Sequence, residues 1–212
     1  MPARVIVLAG PSGSGKTRLA HRLGLPVLAL DDFYRDGNDP GLPLVQLPGG
    51  ERLVDWDDPR SWDEQRALST LERLCRDGTA RVPVYDIPTN RVTGSRELSL
   101  GRHTHVVAEG IFAAEIVAEV RERGLLRAAV CVRHHRLLTY ALRLVRDLRE
   151  HRKAPHVLVR RGWRLMRDEP RIIAHMRALG CEPMSPRRAE ARLRSAVATQ
   201  APPATPPDGS YV

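Results

Sequence analysis

Residues 4–17, Arg4-Val-Ile-Val-Leu-Ala-Gly-Pro-Ser-Gly-Ser-Gly-Lys16-Thr17, decide the fold. The apolar run RVIVLA at 4–9 reads as a strand buried on both faces. It runs straight into Gly10-Pro11-Ser12-Gly13-Ser14-Gly15-Lys16-Thr17, which matches G-x-x-x-x-G-K-[ST]. A helix is expected from Lys16 to about Gly24, so the motif sits between a strand and a helix, as its chemistry requires. Glycines let successive backbone N–H groups turn inward as an anion nest, and the helix N-terminus adds partial positive charge. Lys16 is expected to reach the β- and γ-phosphates of a nucleoside triphosphate, and Thr17 to hold Mg²⁺. Among 34 Lys and Arg residues only Lys16 and Lys153 are lysines. A flexible point charge therefore stands where a rigid guanidinium fork fits badly.

Outward from this stretch, helical and buried-strand patterns alternate. Residues 27–30 (VLAL), 105–108 (HVVA), 128–133 (AAVCVR) and 181–184 read as further strands. Helices are expected over 62–77, 112–123, 136–153, 160–179 and 186–198. Strands that all read as buried and alternate with helices predict an α/β fold: a three-layer α/β/α sandwich with a parallel central sheet. Residues 35–55, rich in Gly, Pro and Asp, read as a long surface loop near the site. Residues 81–100 hold two short extended pieces, an excursion toward substrate. One domain is expected over 1–198, with a Pro-rich disordered tail at 199–212.

The 212 residues carry a formal charge of +9. Nine Arg or Lys and two acids lie between Arg143 and Arg167, so the charge concentrates where a lid over triphosphate is expected, at 136–167. That placement disfavours nucleic acid as the partner. No apolar run approaches membrane length, and no leader pattern precedes the first strand, so a cytoplasmic location is expected. Cys75, Cys131 and Cys181 have no metal-ligand spacing and read as buried free thiols.

Several carboxylates should collect at the carboxyl ends of the strands, where ligands sit in such sheets. Asp31 follows the second strand. It could accept a proton from an acceptor hydroxyl, contact Mg²⁺ or a water, or cap a turn. Glu109 ends a buried strand in VVAEG and could hold Mg²⁺ through water, position the acceptor, or stabilise a turn. Asp57, between Trp56 and Trp62, could bind sugar hydroxyls, although Pro59 and Asp63 nearby could be turn and capping chemistry. Tyr85, Asn90 and Arg91 are candidate contacts to a flat polar ligand, Tyr85 with core packing as its alternative. Arg143 and Arg146 share a face of the basic helix and could meet the transferring phosphoryl group.

Together GPSGSGKT (10–17), DDFY (31–34), DWDDPRSWD (55–63), PVYDIPTNR (83–91), AEGIF (108–112) and RLVRDLRE (143–150) resemble the uridine–cytidine kinase family in order and spacing over about 4–155. The resemblance implies a P-loop kinase fold with a lid helix, and transfer of the γ-phosphate of ATP or GTP to the 5′-hydroxyl of uridine or cytidine with Mg²⁺. It implies Asp31 as the catalytic carboxylate and Asp57 on the ribose. It also places Tyr34 within DDFY, Tyr85 in the base-binding loop, Glu109 in the E-G-I segment, and Arg143 and Arg146 in the lid. Two positions depart from the pattern. Asn90 and Arg91 stand where the family places a base-reading histidine, and Glu150-His151-Arg152-Lys153 replaces E-R-G-R. A kinase for another nucleoside, a sugar or a vitamin precursor keeps the same machinery with a changed pocket. A nucleotide-dependent nucleic-acid-binding module is the non-enzymatic alternative. A regulatory GTPase is disfavoured because no N-K-x-D signature follows, and a homo-oligomer is left open.

Overall fold

The computed structural model describes residues 2–46, 50–133 and 155–199. The expected basic helix 136–153, with Arg143 and Arg146, lies outside them, as does nearly all of the tail. Strands β1 (Arg4–Ala9), β2 (Val27–Ala29), β3 (Leu44–Gln46), β4 (Arg52–Val54), β5 (Thr79–Asp86), β6 (Arg91–Ser99), β7 (His105–Glu109), β8 (Leu126–Val132) and β9 (Glu182–Met184) alternate with five helices among the described residues. The helices are α1 (Lys16–Leu23), α2 (Glu64–Asp77), α3 (Val117–Glu122), α4 (Pro155–Ala178) and α5 (Pro186–Ala198).

The central sheet has the order β2-β7-β1-β8-β9, and every pairing in it is parallel. Strand side chains alternate between the two faces. Val5, Val7 and Ala9 of β1 join Val106 and Ala108 of β7 on one face, packed against Leu68, Leu71 and Leu74 of α2, Val117 and Val120 of α3, and Met176 of α4. Ile6 and Leu8 join Val107, Val130 and Val132 on the other, against Leu19 and Ala20 of α1 and Ala189 and Leu193 of α5. This is the expected three-layer α/β/α fold, and the doubly buried strands explain the continuous apolar runs. Cys75, Cys131 and Cys181 are free and buried, as expected. Among the described residues no helix is long and apolar enough to cross a membrane.

Not every strand joins the sheet. Residues 79–99 form an antiparallel hairpin, β5–β6, longer than the two short pieces expected, with a register irregularity between Val84 and Tyr85. The stretch read as a surface loop contains a second antiparallel hairpin, β3–β4, with Leu44 and Leu53 exposed. Helix α2 begins at Glu64 rather than 62 because the Asp63 carboxylate caps it, accepting the Arg66 N–H at 3.0 Å. Trp62 stays extended and buried, its Nε1 donating to the Leu30 carbonyl at 2.8 Å.

The helix expected over 112–123 is confined to Val117–Glu122. Before it, Ala113, Glu115 and Val117 donate to carbonyls three residues back, in tight turns that bury Phe112, Ala113, Ala114 and Ile116. The start of that segment is held instead by an acid from another strand end, as the site geometry explains.

Candidate functional site

The loop from Gly10 to Thr17 closes over the carboxyl end of β1. Gly10, Gly13 and Gly15 have φ of 146°, 81° and 86°, conformations that side-chain-bearing residues rarely adopt. At Gly10 the backbone also approaches β8: an added Cβ would lie 2.4 Å from the Val132 carbonyl oxygen and 2.9 Å from Ser14 Oγ. Ser14 is fully buried, and its hydroxyl is without a hydrogen-bond partner among the described residues. Lys16 is also buried, and its ammonium donates to the carbonyls of Gly10 at 2.9 Å and Pro11 at 3.3 Å. The cation thus curls over the loop from which an anion would be held.

Beside it, the parallel register sets Glu109 at the end of β7 between Leu8 of β1 and Ala29 of β2. Thr17 Oγ1 donates to Glu109 Oε1 at 3.0 Å. Burial is the main cause raising the Glu109 pKa above the ordinary carboxylate value; the nearby Lys16 ammonium and the Thr17 hydrogen bond pull the other way, while Asp31 adds to the rise.

Asp31 lies in the single 3₁₀ turn Leu30–Phe33 that follows β2. Its Oδ1 accepts the Ile111 N–H at 3.1 Å. A Cβ on Gly110 would come within 2.8 Å of that oxygen, so glycine is what admits the carboxylate to the β7 end. Thr17, Glu109 and Asp31, predicted from separate motifs, are therefore brought together at one edge of the sheet. Among the described residues no cluster of three or more His, Cys, Asp or Glu could hold a metal. The glycine cradle, the buried cation and the Thr17–Glu109 pair fit MgATP.

A wall of aromatic rings stands beyond Asp31. The Tyr34 ring lies 5.7 Å from Trp56, 5.6 Å from Tyr85 and 5.9 Å from Phe112. Tyr34 also donates its hydroxyl to the Trp56 carbonyl at 3.1 Å. Tyr85 donates to the Arg35 carbonyl at 3.3 Å, and burial, with Asp36 and Asp86 nearby, pushes its pKa up to about 12. Asp57 is exposed in the turn beside Trp56, its N–H bound to Asp55 Oδ1 at 3.1 Å. Asn90 and Arg91 occupy the tip of the β5–β6 hairpin, Asn90 with φ of 52°.

Sequence reasoning missed Phe112, Arg96 and Asp36. Asp32 faces the Arg96 guanidinium at 3.7 Å and the Tyr85 backbone N–H, while burial raises its pKa. Asp36 accepts the Val92 N–H at 2.8 Å. The Asp-Gly pair at 36–37 was the available signal, since such pairs mark tight turns.

A phosphate loop at the carboxyl edge of a parallel sheet, with a Thr–Glu pair and an aspartate beside it, defines a P-loop kinase architecture. No family model matches the chain. It is 30% identical over 152 residues to a uridine kinase of Bacillus pumilus, covering 69% of this chain and 68% of that protein. It is 28% identical over 162 residues to the inorganic pyrophosphatase TTM2 of Arabidopsis thaliana, covering 73% of this chain but only 21% of the plant protein. The chain thus spans about a fifth of the length of the plant relatives it matches. A structure from Silicibacter sp. TM1040, assigned as a fructose transport system kinase, superposes with a TM-score of 0.59 at 17% identity, covering 82% of this chain and 85% of that one. The chain belongs to the P-loop nucleoside and nucleotide kinase superfamily, in the family of the uridine kinases.

Proposed function

We propose that the chain is a phosphotransferase that moves the γ-phosphate of ATP to the 5′-hydroxyl of uridine or cytidine, in the cytoplasm. The observation that carries this reading is the meeting of Asp31 with the Thr17–Glu109 pair beside the phosphate loop, in front of the aromatic wall. The loop N–H groups and Lys16 hold the triphosphate. Thr17, with Asp31 and Glu109, would hold Mg²⁺, whose charge would offset that of the phosphate oxygens. Asp31 orients the acceptor hydroxyl and takes its proton as the new O–P bond forms and the bond to the β-phosphate oxygen breaks, releasing ADP. In a loose transition state this positioning counts for more than the basicity of the carboxylate. Asp57 takes the ribose hydroxyls, while Tyr34, Tyr85, Asn90 and Arg91 flank the base. The resemblance assigns Arg143 and Arg146, which lie outside the described residues, to the transferring phosphoryl group.

The test is ATP consumption by purified protein with Mg²⁺ against nucleosides, sugars, pantothenate and pyrophosphate, with product masses. Uridine or cytidine monophosphate is the expected product. Asn90 at the position of the family's histidine favours one second reading: the same transfer to a different small acceptor, because changed hydrogen-bonding partners alter which ligand is accepted. A phosphorylated sugar or vitamin precursor, with no pyrimidine product, would establish it. Pyrophosphate cleavage without an acceptor would refute both and align the chain with its plant relatives.

A further inference from the structure

The hairpin tip carrying Asn90 is not a free loop. Three hydrogen bonds fasten it to the segment directly after Tyr34. Gly37 N–H donates to the Asn90 carbonyl at 2.7 Å, Val92 N–H to Asp36 Oδ1 at 2.8 Å, and Tyr85 hydroxyl to the Arg35 carbonyl at 3.3 Å. The first two bracket Arg91 on either side. They also hold Asn90 at its left-handed φ of 52°, a conformation that asparagine tolerates better than most residues. Gly37 sits tightly against the hairpin tip. A Cβ there would meet Asn90 Cβ at 3.0 Å and Asn90 O at 3.3 Å.

A cavity of about 380 Å³ opens beside this fastening, lined by Tyr34, Arg35, Asp36, Asn38, Arg66 and Val92 among others. Tyr34 belongs both to that cavity and to the aromatic wall, so a shift of the 35–37 segment reaches the acceptor side directly. The same segment continues from the Leu30–Phe33 turn that carries Asp31. The acid that meets the acceptor hydroxyl and the tip that meets the rest of the acceptor are thus joined through a few residues of chain and two short hydrogen bonds.

We propose that Asp36 and Gly37 are positioning residues that set acceptor selectivity by clamping the hairpin tip, so that Asn90 and Arg91 meet the acceptor at a fixed distance from Asp31. The proposal rests on the kinase reading and adds to it a determinant outside the aromatic wall. Asp36 works as an acceptor of a backbone N–H, a role that an asparagine Oδ1 can fill. Gly37 works by having no side chain, and its φ is not in the left-handed region, so alanine there adds only the contact with Asn90.

The experiment compares Asp36→Ala, Asp36→Asn and Gly37→Ala with wild type, using uridine and cytidine as acceptors and amide hydrogen exchange as a second readout. Loss of one net hydrogen bond predicts that Asp36→Ala raises the acceptor KM about fivefold, with KM for ATP and kcat within about twofold. Gly37→Ala should shift the uridine-to-cytidine preference, and Asp36→Asn should keep the acceptor KM near its wild-type value. Exchange at the Val92 amide should rise in Asp36→Ala and return in Asp36→Asn. Equal rises in both KM values, no recovery in Asp36→Asn, or an unchanged Val92 amide would each overturn the clamp. Wild-type protein that phosphorylates neither nucleoside refutes the pyrimidine reading instead; the acceptor found in the panel then takes their place, and with no acceptor the Val92 amide alone decides.

Discussion

Gly10→Ala tests the phosphate loop at the point where backbone meets backbone. Two costs combine. A residue with a Cβ held at φ 146° is strained by about 1–3 kcal/mol. The added carbon would stand 2.4 Å from the Val132 carbonyl oxygen, which belongs to a central strand and cannot rotate away as a side chain could. Overpacking of that kind costs a further ~1–3 kcal/mol. The sum, roughly 2–6 kcal/mol, is a large share of the stability of an ordinary domain, about 5–15 kcal/mol. At about 2–4 °C per kcal/mol for a chain of this size, the melting temperature should fall on the order of 10 °C. Gly24→Ala is the control. It too has positive φ, 67°, but nothing lies within 4 Å of its added Cβ, so only the left-handed penalty of about 1–2 kcal/mol applies. Thermal unfolding of both variants, with ATP binding by calorimetry, separates the terms. Gly10→Ala should be the less stable and should lose nucleotide affinity, while Gly24→Ala retains it. Equal melting temperatures for the two would refute the argument that β8 crowds the loop.

Asp31→Asn should lower kcat on the order of 10²–10⁴-fold, the usual worth of a positioned acid–base group, with ATP affinity nearly intact by calorimetry. Unchanged turnover would remove Asp31 from the proton path. Lys16→Ala should cut phosphate transfer at least 10²-fold for every acceptor tried, and normal turnover would contradict the phosphate-loop mechanism. Burial pushes the thiols of Cys75 and Cys131 up to about 11 and that of Cys181 up to about 12, from an ordinary value of 9.0. A disulfide reagent at pH 8 should therefore label native protein slowly and all three thiols after denaturation. Unfolded thiols ionise first, so their contribution makes stability decline above pH 9 and keep declining up to about pH 11–12. Rapid native labelling at pH 8 would show that these thiols are not held in the core.

The parts of the fold that could be read in advance are those whose cause is local. RVIVLA, VLAL and HVVA are apolar on both faces because helices cover both sides of the strands they form, and the glycines of the phosphate loop announce positive φ. Capping likewise needs only neighbours, yet the apolar pattern sets the start of α2 two residues early because Trp62 is as apolar as a first helical turn would be. Asp63 caps the helix locally, but what holds Trp62 extended ahead of it is a tertiary bond, from its Nε1 to the Leu30 carbonyl. The same holds for the shortened α3. Nothing in AEGIFAAEIVAEV forbids an earlier helix. Asp31, however, holds the Ile111 N–H from a turn 80 residues away and needs Gly110 bare to do so.

The candidate site divides along this line. Its phosphate half is one continuous motif with local physics, legible residue by residue. Its acceptor half is assembled from the turn after β2, the segment around Trp56, the hairpin tip and the turn before α3. Resemblance could nominate Tyr34, Asp57 and Tyr85 there. It could not show that Gly37 and Asn90, 53 positions apart, share a 2.7 Å hydrogen bond that would bring a Cβ on Gly37 to 3.0 Å from Asn90 Cβ. Phosphoryl transfer depends on the local half and acceptor choice on the assembled half. Substitutions between relatives at positions 36, 37 and 90 should therefore change what is phosphorylated sooner than whether phosphate is transferred.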